Sequence, residues 1–252
     1  MTPTSAIPDA ALRLLVEQGF DATSVDQLAA AAGMSRSTFF RRFGSKEDMV
    51  FADMEAIMDT VRRVLERGRR DPPGAVVDAA LAVFDHHTAR PDASLLRHRL
   101  LQEVLALRDR ELVSTHRYED AFRRGLDAAF GPRAADGDGG ARIASVAFAA
   151  AVVAVHNAYL RSWLRSPADS IRAELAAELR ALAHLFAPRF GGPAGRPGAR
   201  GVEGDGAADG LAPDPGADGP RGRRPDVVVA VLDPSAGTEA VLAAVRGALE
   251  HR

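Results

Sequence analysis

The sequence predicts an all-α fold, and three observations carry that reading. Apolar residues recur at the three-and-four spacing of amphipathic helices along most of the first 187 positions. Serines that suit helix starts stand before several of these stretches, and the separators are built from Gly, Pro and Asp. Strand character is confined to one short run, DVVVAVL, close to the C-terminus.

Taken in order, the periodicity places helices over 11–16, 25–32 and 49–65, with a short helix over 35–43 after Ser35 in an N-cap position. Ser24 with Gln27, and Ser45 with Asp48, have capping-box spacing and fix the starts of the second and fourth helices. DPPG then breaks the chain. Five further helices are expected over 75–88, 93–108, 111–130, 141–165 and 170–186, separated by RPD, a short break near Asp109, GPRAADGDGG and SPAD. From 188 to 225 nearly every second residue is Gly or Pro and large apolar side chains are scarce, so burial cannot offset the ordering entropy and a disordered linker is expected. The strand at 226–232 and an amphipathic helix at 238–249 form a tail too small to fold unaided. The expected division is an N-terminal three-helix unit at 1–50, a helical domain at 51–187, the linker at 188–225 and the strand-helix tail at 226–252.

Composition narrows the function classes. With 252 residues and a formal net charge of −2, any attraction to nucleic acid or an anionic membrane must come from a local patch. No cysteine is present, which removes disulfides, thiolate metal sites and cysteine nucleophiles. The N-terminus lacks a basic start followed by an apolar run, and the most apolar stretch, 143–160, is interrupted by Ser145, His156 and Asn157, so a cytoplasmic protein without membrane contact is expected. Among seven histidines, the adjacent His86 and His87 would point about 100° apart on a helix and have no carboxylate at clean ligand spacing. The run DVVVAVLD has no glycine-rich phosphate loop to accompany it, and no nucleophile-elbow motif occurs. Neither an enzyme, a metal nor a cofactor is expected.

The local patch lies at MSRSTFFRRFGSK, residues 34–46, which holds four basic residues and no acidic one. The second helix ends in AAAAGMS, where Gly33 permits a tight turn and Ala29 and Ala30 permit close helix approach, the arithmetic of a helix-turn-helix. In such a unit the N-terminal residues of the second helix meet base edges and its flanks meet phosphates. Arg36 suits guanine O6 and N7, and Thr38 suits thymine or a polar base edge. Arg41 and Arg42 suit the backbone, and Phe39, Phe40 and Phe43 supply apolar anchorage, with Phe40 the most exposed of the three. Lys46, the only lysine in the chain, is expected to clamp a phosphate at the first turn of the fourth helix.

The stretch GFDATSVDQLAAAAGMSRSTFFRRFGSKEDM resembles the N-terminal signature of the TetR/AcrR family of transcriptional regulators. The resemblance implies a DNA-contacting set of Ser24, Ser35, Arg36, Ser37, Thr38, Phe40, Arg41, Arg42 and Lys46, with Phe40 in the place of a usual tyrosine and so lacking its hydroxyl. It implies a homodimeric, ligand-responsive regulator, most often a repressor on a near-palindromic operator, released by a small-molecule effector. A basic arm often found before the first helix is absent. The last two helices would form the dimer interface through Val152, Val155, Tyr159, Leu175, Leu179 and Leu182. An effector pocket would then fall between 75 and 130, with His86, Arg97, His116 and Tyr118 as its polar lining, and an acyl-coenzyme A or other hydrophobic compound as its occupant. The alternative is a dimeric effector-binding or protein-interaction module that has lost specific DNA reading.

Overall fold

The computed structural model describes residues 8–134 and 139–190, and the linker and tail expected beyond 190 lie outside the described residues. Its helices are α1 (Asp9–Gln18), α2 (Val25–Ala31), α3 (Arg36–Phe43), α4 (Lys46–Val50), α5 (Met54–Arg67), α6 (Pro72–Thr88), α7 (Pro91–Glu103), α8 (Leu105–Ala134), α9 (Gly139–Arg165) and α10 (Ser170–Phe186). A 3-10 turn, Ala187–Phe190, follows, and no strand occurs among the described residues. Phe190 is buried and stacks on Phe130 with ring centroids 4.9 Å apart, so the packed chain runs past the boundary expected at 187.

Two helix boundaries differ from expectation. The helix expected over 49–65 is two helices, because the Phe51 and Ala52 amides donate to the carbonyls of Asp48 and Met49 and close α4 with a turn. Phe51 and Asp53, both buried, make the joint, and α5 restarts at Met54. The break expected near Asp109 falls instead at Val104, whose extended φ of −108° and ψ of 110° ends α7. Arg108 explains it: its Nε donates to the Leu101 carbonyl at 2.9 Å and its Nη2 to that of Gln102, satisfying two orphan acceptors of the α7 terminus. α8 then runs unbroken through Asp109 for 30 residues.

α1, α2 and α3 share a small core in which Leu12, Leu15, Leu28 and Phe39 are fully buried. α1 also packs on α7, with Arg90 paired to Asp9 and Arg13 to Asp92, so the N-terminal unit is fastened to the larger domain. In that domain α9 lies against α6, α8 and α10. Its segment Arg142–Arg165 is long and apolar enough to cross a bilayer by composition, yet here it is a core helix with Phe148, Val152 and Val155 fully buried.

That burial corrects the expected dimer residues. Val152, Val155, Leu175, Leu179 and Leu182 are all buried in their own subunit, and only Tyr159 is partly exposed. The apolar stripes of α9 and α10 are consumed by packing on each other and on α6, so they cannot meet a second chain. The outer faces of the two helices carry instead Val146, Ala147, Ala177, Ala181 and Leu185.

Candidate nucleic-acid interface and buried cavity

Ser24 closes the capping box read from the sequence: its Oγ accepts from the Gln27 amide at 3.3 Å, and Gln27 Oε1 accepts from the Ser24 amide at 2.8 Å. The turn between α2 and α3 depends on Gly33 at φ 68°, a left-handed conformation that costs a side chain on the order of 1 kcal/mol. Ser35 Oγ then accepts from the Thr38 amide at 3.2 Å and caps α3. Ser45 does the same for Asp48 at 2.9 Å, but its hydroxyl rather than its amide meets the Asp48 carboxylate.

On α3, Phe39 and Phe43 are buried edge-to-face at 5.1 Å, and this fixes the helix's rotation. Arg36, Ser37, Arg41 and Arg42 consequently face outward, Thr38 is half-buried, and Phe40 is 42% exposed. Ser24 and Ser35 are exposed, though their hydroxyl oxygens already serve as caps. Arg36 does not point freely outward. Its Nη1 donates to Asp26 Oδ2 at 2.7 Å while its guanidinium lies 5.3 Å from the Phe40 ring centroid. Asp26 was invisible as a site residue, because a separation of ten positions across a turn leaves no periodic signal.

Lys46 stands differently from the expected clamp. Its Nζ donates to the carbonyls of Phe20 at 2.7 Å and Thr23 at 3.1 Å, and sits 4.7 Å from the Phe20 ring centroid. With α4 only five residues long, its N-terminus offers little dipole, and the turn after α1 supplies the better acceptors. Lys46 therefore ties α4 to the α1–α2 turn.

Residues 7–52 match the sequence model of the family described as bacterial regulatory proteins, tetR family. Over this segment the chain is similar to the TetR family. It is similar to the HTH-type transcriptional regulator HbdR of Aromatoleum sp. (strain CIB), with 29% identity over 103 residues, 40% of this chain and 45% of that protein. It is also similar to the HTH-type transcriptional regulator TcmR of Streptomyces glaucescens, with 39% identity over 56 residues, 22% of this chain and 25% of that protein. The matches thus span less than half the length of these relatives. Among solved structures, the TetR family transcriptional regulator PfmR of Thermus thermophilus aligns with a TM-score of 0.45 and 20% identity, over 71% of this chain and 97% of that one.

Behind the helix-turn-helix unit, the α4–α5 joint is gripped from three sides. Phe51 lies under two guanidinium groups, with Arg97 of α7 4.6 Å and Arg110 of α8 5.8 Å from its ring centroid. Arg110 also pairs with Asp48 of α4. Asp53 Oδ2 is 2.8 Å from His86 Nε2, and its Oδ1 lies 3.7 Å from Arg97 Nη1. Burial raises the Asp53 carboxyl, but the His86 hydrogen bond and the Arg97 charge outweigh it and hold the group below the usual range.

A cavity of about 70 Å³ opens on the far side of Arg97 and Tyr118, between α6, α7, α8 and α9. His87 and His156 line it as well, with apolar walls from Val83, Leu101, Leu160 and Leu164. Of the expected pocket residues, Arg97 and Tyr118 are brought together here. His86 lies outside this cavity, at the Asp53 joint, and His116 is exposed on the outer face of α8. The phase of α6 decides the first of these, since His87 and not His86 turns inward. Burial holds His156 down to about 4, and burial together with Arg97 lowers His87, so both rings are neutral near pH 7. A volume of about 70 Å³, roughly two waters at about 30 Å³ each, does not accommodate an acyl-coenzyme A in this conformation.

Proposed function

We propose that the chain is a ligand-responsive transcriptional regulator that binds a near-palindromic operator as a homodimer and leaves it when a small molecule enters the helical domain. The reading rests above all on α3: a helix locked in rotation by Phe39 and Phe43, presenting Arg36, Ser37 and Arg41 outward with no acidic residue between positions 34 and 46. That is the surface a major groove requires, with Arg36 and Thr38 at base edges and Arg41 and Arg42 on phosphates. Phe40 keeps an exposed ring for the sugar-phosphate wall. A second copy is accommodated by the outer faces of α9 and α10, where Val146 and Leu185 are 45% and 43% exposed. Such a dimer would set two α3 helices against successive major grooves.

The test is selection of genomic fragments by the purified full chain at about 0.15 M salt, where non-specific phosphate binding is weak. Recovery of one short near-palindrome is the expected result, and Arg36→Ala should lower affinity for it by about tenfold or more while leaving random duplex within a few-fold. Recovery of nothing above background would favour the dimeric interaction module.

A further inference from the structure

Arg97 is 8% exposed and makes no hydrogen bond to another described residue. Its nearest carboxylate, Asp53, stands off at 3.7 Å and is already bonded to His86 through its other oxygen. Asp53 thus balances the guanidinium charge at a distance, through an Oδ1 that is itself buried without a hydrogen-bond partner. Two polar atoms in the same cavity are buried without partners, Tyr118 Oη and His156 Nε2. His156 has spent its other nitrogen on the Asn157 amide at 3.1 Å. Nδ1 donates to Asn157 Oδ1, so the neutral ring leaves Nε2 as an acceptor. Tyr118 and His156 thus turn unmet hydrogen-bonding groups into the space that Arg97 also lines, and native interiors rarely leave such groups unmet.

We infer that this cavity is a binding site for a short aliphatic monocarboxylate, whose carboxylate is held by Arg97 and Tyr118 Oη. The chemistry selects the class. A planar carboxylate can take two parallel N–H donors from one guanidinium, and the Tyr118 hydroxyl can donate to the same oxygens. Asp53 beside Arg97 disfavours a dianion such as phosphate, since a second full negative charge would face it. The leucine and valine walls suit an alkyl tail, and the volume of about 70 Å³ limits that tail to a few carbons. The larger groove of about 910 Å³ beside Arg42 and Arg117 is no rival, because Arg110 and Arg117 in it already hold Asp48 and Glu55.

A carboxylate on Arg97 would draw it from Asp53 and from the face of Phe51, both at the joint that carries the helix-turn-helix unit. The inference leans on the proposed ligand response only for that consequence, so binding is measured first without DNA. Titration calorimetry of the full chain with propionate and butyrate, against propionamide and butyramide, should give saturable binding for the acids and at least about tenfold weaker binding for the amides. Tyr118→Phe should weaken the acids by about tenfold while leaving the melting temperature unchanged or raised, because it removes an unmet hydroxyl. Arg97→Met should abolish binding. If that variant does not fold, the amide comparison and Tyr118→Phe still decide. Acids that bind no tighter than amides, an unchanged affinity in Tyr118→Phe, or no saturable binding in the millimolar range would each overturn the site. Acid binding that leaves operator affinity unchanged would support the site and count only against the ligand-response reading.

Discussion

Asp26 decides how Arg36 stands when no nucleic acid is present. The pair is 60% and 62% exposed, so it adds at most a few tenths of a kcal/mol to stability. Its effect is on orientation: the carboxylate and the Phe40 ring together hold the guanidinium along the α2–α3 surface. Asp26→Asn should therefore raise affinity for random duplex several-fold, by removing a negative charge near phosphates, and lower the preference for operator over random DNA. Competition binding with the two duplexes measures both, and an unchanged ratio would show that Arg36 is oriented by the DNA alone. Lys46 calls for the opposite experiment. Because its ammonium holds the Phe20 and Thr23 carbonyls, Lys46→Met should lower stability by about 1–3 kcal/mol in urea. The salt slope of DNA binding should change little, whereas Arg41→Ala or Arg42→Ala should each reduce it by about one. A flattened slope in Lys46→Met at unaltered stability would restore the phosphate clamp.

At the scale of elements, the joint between α4 and α5 links the two halves, and Arg110 touches it without entering the cavity. Its pair with Asp48 is partly exposed, so Arg110→Ala should cost less than about 1 kcal/mol of stability and leave operator affinity nearly unchanged. If the joint transmits the ligand's effect, the factor by which butyrate weakens operator binding should shrink by about threefold or more in this variant. An undiminished factor would move the coupling to the α1–α7 contact. This joint is also where the sequence was least legible. Met54, Ile57, Met58 and Val61 continue the apolar period of Met49 and Val50, so nothing local marks a break. The turn exists because Arg97, Arg110 and His86, distant in sequence, hold Phe51 and Asp53 inward. The helix-turn-helix was legible because its information is local: caps at Ser24 and Ser35, one glycine and an aromatic phase. The cavity was half legible. Arg97 and Tyr118 stand out as polar groups on apolar helices, but choosing between His86 and His87, or rejecting His116, needs the rotation of α6 and α8, which only packing sets.

For the whole molecule, the buried neutral histidines tie stability to pH. The folded state refuses His156 a proton down to about pH 4, whereas the unfolded chain takes one near its ordinary value of 6.5. Between those limits the unfolded state binds more protons, so stability falls as pH falls, by up to about 1.4 kcal/mol per unit for this one group. His87, lowered in the same direction, adds to the slope. Asp53 acts elsewhere: its depressed carboxyl contributes stability that is lost only as pH drops below the ordinary carboxylate value of 3.8. Acidification from pH 6.5 to 5 should therefore cost about 1.5 kcal/mol through His156 alone, read as a falling urea midpoint at constant denaturant slope. His156→Gln should lower stability at pH 7 but flatten the dependence on pH by roughly half, the remainder belonging to His87. A stability that does not change between pH 7 and 5 would mean that His156 is reached by water or charged in the folded state. Its Nε2 would then not be the buried, unmet acceptor beside Arg97 and Tyr118.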